Sequence, residues 1–102
     1  MSDFQELVYA ATRKIPLGHV VTYQDIARFI KHPKAFRAVG NTLHSYPPTI
    51  TIPCHRVVNS QGRLAVNFGF KGQDGQKALL ENEGVVVKDY YVDLAKYHVK
   101  LI

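Results

Sequence analysis

The stretch ITIPCHRVVNS, residues 50–60, holds the one cysteine of a 102-residue chain, Cys54, between Pro53 and His55, with Arg56 following. A thiol attacks only as thiolate, and nearby cationic or hydrogen-bonding groups bring its pKa down from about 8.5. His55 and Arg56 are groups of that kind. Neighbours in an extended segment point to opposite faces, so His55 is expected to reach Cys54 through a bridging water or a bend. A lone cysteine among apolar residues fits a buried, inert thiol as well, and the residue types leave both readings open. One cysteine and scattered histidines lack the ligand spacing of a zinc site, so no metal and no cofactor are expected.

Glu83 is a second candidate. It falls in the last turn of a helical segment, where the negative helix end disfavours a carboxylate by about a few tenths of a kcal/mol. A histidine or arginine meeting it would account for its place; a solvated surface glutamate is the other account. A third candidate is a stripe of Arg37, Gly40, Asn41 and His44, at i, i+3, i+4 and i+7 of one helix. Glycine within a helix costs about 1 kcal/mol relative to alanine. Close approach of another backbone explains Gly40, and so does simple helix packing.

Several elements must position these residues. Phe4, Leu7, Val8, Ala11 and Ile15 recur at helical spacing, so a first amphipathic helix is predicted over 3–14, stopped by Pro16 and Gly18. Thr22 with Asp25 three residues on reads as a capping box opening a helix over 23–31. Pro33 breaks it, and a third helix is expected over 34–45 with Phe36, Val39 and Leu43 inward. Two short helices across a tight turn, the second basic, suit helix-turn-helix geometry. VVNSQGRLA reads as a hairpin turning at 59–62, residues 65–75 as a glycine-rich loop, and 73–83 as a fourth helix ended by Gly84. The tail reads as a strand and a short closing segment. The fold class expected is mainly α, one domain over 1–102 with a single modest core.

Composition narrows the partners. The chain is 46% hydrophobic and 21% charged, the balance of a globular domain. It lacks the ~20-residue apolar run of a membrane span, and no signal peptide follows Met1, so the cytoplasm is expected, or the nucleus in a eukaryote. Formal net charge is +5. Residues 1–58 carry seven Lys/Arg against three Asp/Glu, the remainder six against five. A basic face favours a polyanion, because neutralising phosphates releases counterions.

The motifs also carry a resemblance. IPCHRVV (52–58) resembles the active-site motif of the O6-alkylguanine-DNA alkyltransferases, GHVVTYQDIA (18–27) the segment leading into their helix-turn-helix, RAVGNTL (37–43) their recognition helix, and LLENEGV (79–85) their closing helix. The resemblance implies a winged helix-turn-helix that enters the minor groove and flips a damaged base. It implies a monomer whose partner is double-stranded DNA containing O6-alkylguanine. Cys54 would be the alkyl acceptor, His55 its base through water, and Glu83 the group orienting the imidazole. Tyr23, Arg37, Ala38, Gly40, Asn41 and Arg56 would meet DNA, with Tyr23 crowding a phosphate and Arg37 filling the vacated stack. Tyr46, Val66 and Phe68 would line the base pocket.

Three features depart from that pattern. No counterpart of the family's large N-terminal domain is expected, Tyr46 stands where the family carries a hinge asparagine, and AVNFGFKGQDG (65–75) replaces a Tyr-Ser-Gly-Gly type loop. All three resemble the alkyltransferase-like proteins, short relatives that bind alkylated guanine and direct it to nucleotide excision repair proteins. Those relatives carry Trp or Ala at the cysteine position, whereas this chain keeps Cys54. Irreversible alkyl transfer to Cys54, non-catalytic damage sensing, and plain helix-turn-helix regulation are the readings to weigh.

Overall fold

The computed structural model of the chain describes residues 3–45 and 52–102. Apolar periodicity folds its first part into α1 (Asp3–Arg13), α2 (Tyr23–Phe29) and α3 (Phe36–Ser45), each packed on the other two. α1 buries Val8, Tyr9, Ala11 and Thr12. Leu7, expected inside, is 44% exposed. The buried stripe is turned toward Thr12, whose hydroxyl donates to the Val8 carbonyl at 2.7 Å and so enters the core satisfied.

The capping box forms as expected. Thr22 Oγ1 accepts from Asp25 N at 3.1 Å, and Asp25 Oδ2 accepts from Thr22 N at 2.9 Å. α2 stops two residues earlier than predicted. Lys31 adopts a left-handed φ of 66°, its N–H donates to Arg28 O, and His32 N donates to Ala27 O, a Schellman closure made without glycine. α3 likewise begins at Phe36 rather than residue 34, since 33–34 form the connecting turn.

The predicted hairpin is where sequence and structure part. Its turn exists: Asn59 Oδ1 accepts from Gln61 N and Arg63 N, both at 2.9 Å. Beyond the Asn59 N to Arg63 O bond at 3.1 Å that closes the turn, its arms do not pair. β2 (Val57–Val58) instead runs parallel to β1 (Val21–Thr22), with Val21 opposite Val57 and Thr22 opposite Val58. The other arm turns away, so Leu64 N donates to Tyr90 O at 2.9 Å and Arg63 bridges Tyr91. Val92 N donates to Gly62 O at 2.8 Å, and a side chain at Gly62 would sit 2.3 Å from the Val92 carbonyl oxygen, so only glycine fits. The hairpin that does form is β3 (Val87–Lys88) with β4 (Tyr91–Val92), closed by Asp89 and Tyr90 at φ 50° and 64°. Positive φ at both central residues matches a type I′ turn.

α4 (Gly72–Asn82) ends as predicted at Gly84, whose φ of +88° lets Gly84 N reach Glu81 O and Val85 N reach Leu80 O. The closing segment is a short helix, α5 (Leu94–Tyr97). The tail then runs beside β1, with His98 bridging Val20 and its Nε2 lying 2.6 Å from Asp25 Oδ2.

In place of one core there are two buried clusters. Val21 and Val57 join Val8, Ile26, Val39 and Leu43 on the helical side; Val20 and Val58 join Leu64, Leu80, Val85 and Val92 on the other. Strand alternation sends successive valines to opposite faces, which makes the β1–β2 ladder the wall between the clusters. The segment bearing Cys54 leads straight into that wall. Among the described residues, no helix is long and apolar enough to cross a membrane.

Candidate active site around Cys54

Cys54, His55 and Arg56 form a single 3-10 turn rather than the expected extended run. Cys54 N donates to Ile52 O at 2.8 Å, Arg56 N to Pro53 O at 3.0 Å, and Val57 N to Cys54 O. The turn is the bend that an extended reading lacked, and it faces His55 and Arg56 toward the end of α4. Cys54 itself is half-buried against the helical cluster. Burial pushes its thiol up to about 11, only partly offset by a backbone hydrogen bond. At rest the sulfur is therefore a thiol.

Glu83 gathers the other groups. Arg56 donates from Nε to Oε1 at 2.9 Å and from Nη2 to Oε2 at 2.8 Å, while His55 Nε2 lies 2.7 Å from Oε2. Gly18 N approaches Oε1 at 3.4 Å. Burial alone would raise the carboxyl pKa; the hydrogen bonds from Arg56 and then His55 outweigh it and hold Glu83 at about 2. An ionised Glu83 cannot donate, so His55 Nε2 carries the hydrogen. Nδ1 is then the basic nitrogen of the neutral ring. Burial keeps His55 below its usual 6.5 despite the nearby carboxylate, so the ring is neutral at pH 7. The expected Glu83–histidine pairing is thus present, and Arg56 shares the carboxylate.

Arg56 was expected at DNA. Its side chain is only 15% exposed, and its third hydrogen bond runs from Nη1 to Ile15 O at 2.8 Å, at the end of α1. A bidentate guanidinium held this way braces α1, the Cys54 turn and α4. It is not placed to meet phosphate.

The α3 stripe lies as predicted in part. Arg37, Ala38 and Asn41 are exposed, whereas Gly40 is buried over the Tyr23 ring, where an added Cβ would stand 3.7 Å away. That is ordinary contact, so nothing within the protein demands glycine there. Tyr23 is largely withdrawn from solvent. Its hydroxyl lies 3.0 Å from His44 Nε2, and burial, then the neighbouring Cys54, raise its pKa. Tyr23 and His44, with Asn59 and residues 63–67, line a cavity of about 240 Å³. Val66 is among the residues lining this cavity, whereas Phe68 is half-buried and is not among them. Tyr46 lies outside the described residues.

Two participants were not singled out as site residues. His44 appeared only as one of four stripe positions, yet it is the partner of the Tyr23 hydroxyl. Gln76 is fully buried, and its amide accepts from Ala65 N at 2.7 Å and donates to His55 O at 3.1 Å and Val57 O at 2.9 Å. The available signal was a glutamine four residues before Leu80 on the inward face of α4. Among the described residues, no group of three or more His, Cys, Asp or Glu could hold a metal ion.

Comparison with known proteins places this arrangement. Alkyltransferase-like protein 1 of Schizosaccharomyces pombe is 38% identical over 101 residues, covering 99% of this chain and 92% of that one. A methylated-DNA–protein-cysteine methyltransferase of Methanosarcina acetivorans is 42% identical over 84 residues; this chain spans about half of its length, 52%. Among solved structures, S. pombe Atl1 in complex with damaged DNA containing O6-carboxymethylguanine matches with a TM-score of 0.90 at 36% identity, covering 98% of this chain and 97% of that one. Mycobacterium tuberculosis OGT in complex with DNA matches with a TM-score of 0.72 at 39% identity, covering 81% of this chain and 50% of its own. The pattern described as the 6-O-methylguanine DNA methyltransferase DNA-binding domain matches residues 3–85, and the chain belongs to that family.

Proposed function

We propose that this protein binds duplex DNA through the exposed face of α3, turns out an O6-alkylated guanine, and takes the alkyl group onto Cys54. The observation that carries the reading is the ordered set of Cys54, His55 and Glu83. A water between thiol and imidazole passes the thiol proton to His55 Nδ1. The sulfur attacks the alkyl carbon, an S–C bond forms as the C–O6 bond breaks, and the guanine, still joined to its sugar, takes up a proton from solvent while His55 returns its own to solvent. Glu83 stabilises the imidazolium formed on the way, and Arg56 keeps Glu83 ionised. The thioether product leaves no thiol for a second round.

The test is the mass of the protein after incubation with duplex carrying O6-methylguanine. One added methyl group on Cys54, absent in Cys54→Ser, is expected. A second reading, damage sensing without transfer, draws support from the near-full-length likeness to alkyltransferase-like protein 1 and from the raised thiol pKa. An unmodified protein that binds methylated duplex selectively would establish it in place of the first.

Arg37 supplies a further expectation. It is exposed on α3 and free of any ion pair with a described residue, which supports a proposed role of filling the gap left by a flipped base. Arg37→Ala should weaken binding to alkylated duplex about 10-fold or more while changing single-strand binding far less, and both affinities should fall with salt. Equal losses on the two substrates would make Arg37 a phosphate contact only.

A further inference from the structure

Beyond the turn closed by Asn59 N and Arg63 O, the two arms of the expected hairpin are joined by a side chain. Among the described residues, no backbone hydrogen bond links 57–58 to 64–66. In the gap lies the Gln76 amide, accepting from Ala65 N on one arm and donating to His55 O and Val57 O on the other. It acts as an interposed peptide group. One arm carries the Cys54 turn and the other forms a wall of the cavity beside Tyr23. Gln73, one turn earlier on α4, donates to Leu64 O at 3.0 Å and holds the same wall.

The chemistry of an amide suits this place. Both N–H groups and the oxygen are engaged, each by a backbone group. A carboxylate lacks the two donors; an aliphatic side chain lacks all three functions. A three-residue 3-10 turn has little rigidity of its own, so the His55 carbonyl needs an anchor outside the turn.

We propose, resting on the alkyl-transfer reading above, that Gln76 is a positioning residue that holds the Cys54 turn and the pocket wall at 64–66 in one fixed relation, so that the thiol meets the flipped base in register. Gln76 directs its hydrogen bonds to backbone groups rather than to the Cys54 sulfur. Its effect falls on the transfer step, and a nucleophile displaced by about 1 Å loses on the order of 100-fold in rate.

The experiment compares Gln76→Met, which keeps side-chain length without hydrogen bonding, with Val92→Ala in the C-terminal hairpin as a control for stability alone. Single-turnover methyl transfer from O6-methylguanine duplex is measured for each at a temperature where melting curves show it folded. Gln76→Met should be about 10- to 100-fold slower with unchanged affinity for undamaged duplex, and Val92→Ala should transfer at the wild-type rate. Gln76→Asn, whose amide is one methylene short, should also be slow, and it carries the test if Gln76→Met does not fold. Wild-type rates in the folded Gln76 variants would overturn the proposal. Should the wild type itself transfer nothing, the alkyl-transfer reading fails separately. The positioning role is then read from the preference for methylated over undamaged duplex, which Gln76→Met should reduce about 10-fold and which, if unchanged, overturns the role.

Discussion

Glu83→Ala should lower the unfolding free energy by about 3–5 kcal/mol, the range for removing one member of a buried ion pair. The carboxylate is 11% exposed and bonded to both His55 and Arg56. Without it a guanidinium braced against Ile15 O remains inside with no counter-charge. A domain of this size is stable by about 5–15 kcal/mol, and each kcal/mol moves Tm by about 4–8 °C, so the melting shift should be large. Glu83→Gln is the sharper variant, because it keeps the shape but offers an NH2 to groups that are already donors. The stability difference between wild type and Glu83→Gln should depend on pH. A carboxyl held at about 2 when folded, against the ordinary 4.5, stabilises fully above about pH 5. That stabilisation disappears as pH falls through 4.5 toward 2. Denaturant melts of both proteins from pH 2 to 8 check this. A constant difference would mean that Arg56 and His55 do not depend on the charge of Glu83.

His55→Ala should slow alkyl transfer by about 10²- to 10⁴-fold, the usual contribution of a general base, and should also change the shape of the pH profile. With the thiol near 11, thiolate is scarce at neutral pH, and the wild type depends on Nδ1 to remove the proton. The wild-type rate should be level from pH 7 to 9 and fall on acidification below 6.5, as the ring acquires a proton and can no longer accept one. Without the imidazole, hydroxide must take the proton, so the His55→Ala rate should rise about tenfold per pH unit over 7–9. Quenched single-turnover reactions across that range distinguish the cases. A wild-type rate that climbs as steeply as that of the variant would remove His55 from the reaction and leave it a structural partner of Glu83.

What the sequence determined by itself was local. Thr22 and Asp25 specify a capping box because both hydrogen bonds lie within four residues. Gly84 specifies the end of α4 because the left-handed φ there belongs to that residue. PCHRV marks the reactive turn because Cys54, His55 and Arg56 are adjacent in the chain. Whatever depends on distant partners was settled by packing. Val57 and Val58 choose between Leu64–Ala65 and Val21–Thr22, and they pair with Val21–Thr22 because burial on both faces favours a strand with a core on each side. Arg56 turns inward because Ile15 O and Glu83, 41 and 27 residues away, offer it three hydrogen bonds at once. Gln76 looks like any helical glutamine until the fold sets Ala65, His55 and Val57 around it. Local rules see a side chain's propensity. Which buried polar group meets which partner is settled when separate segments are packed together and each must be satisfied.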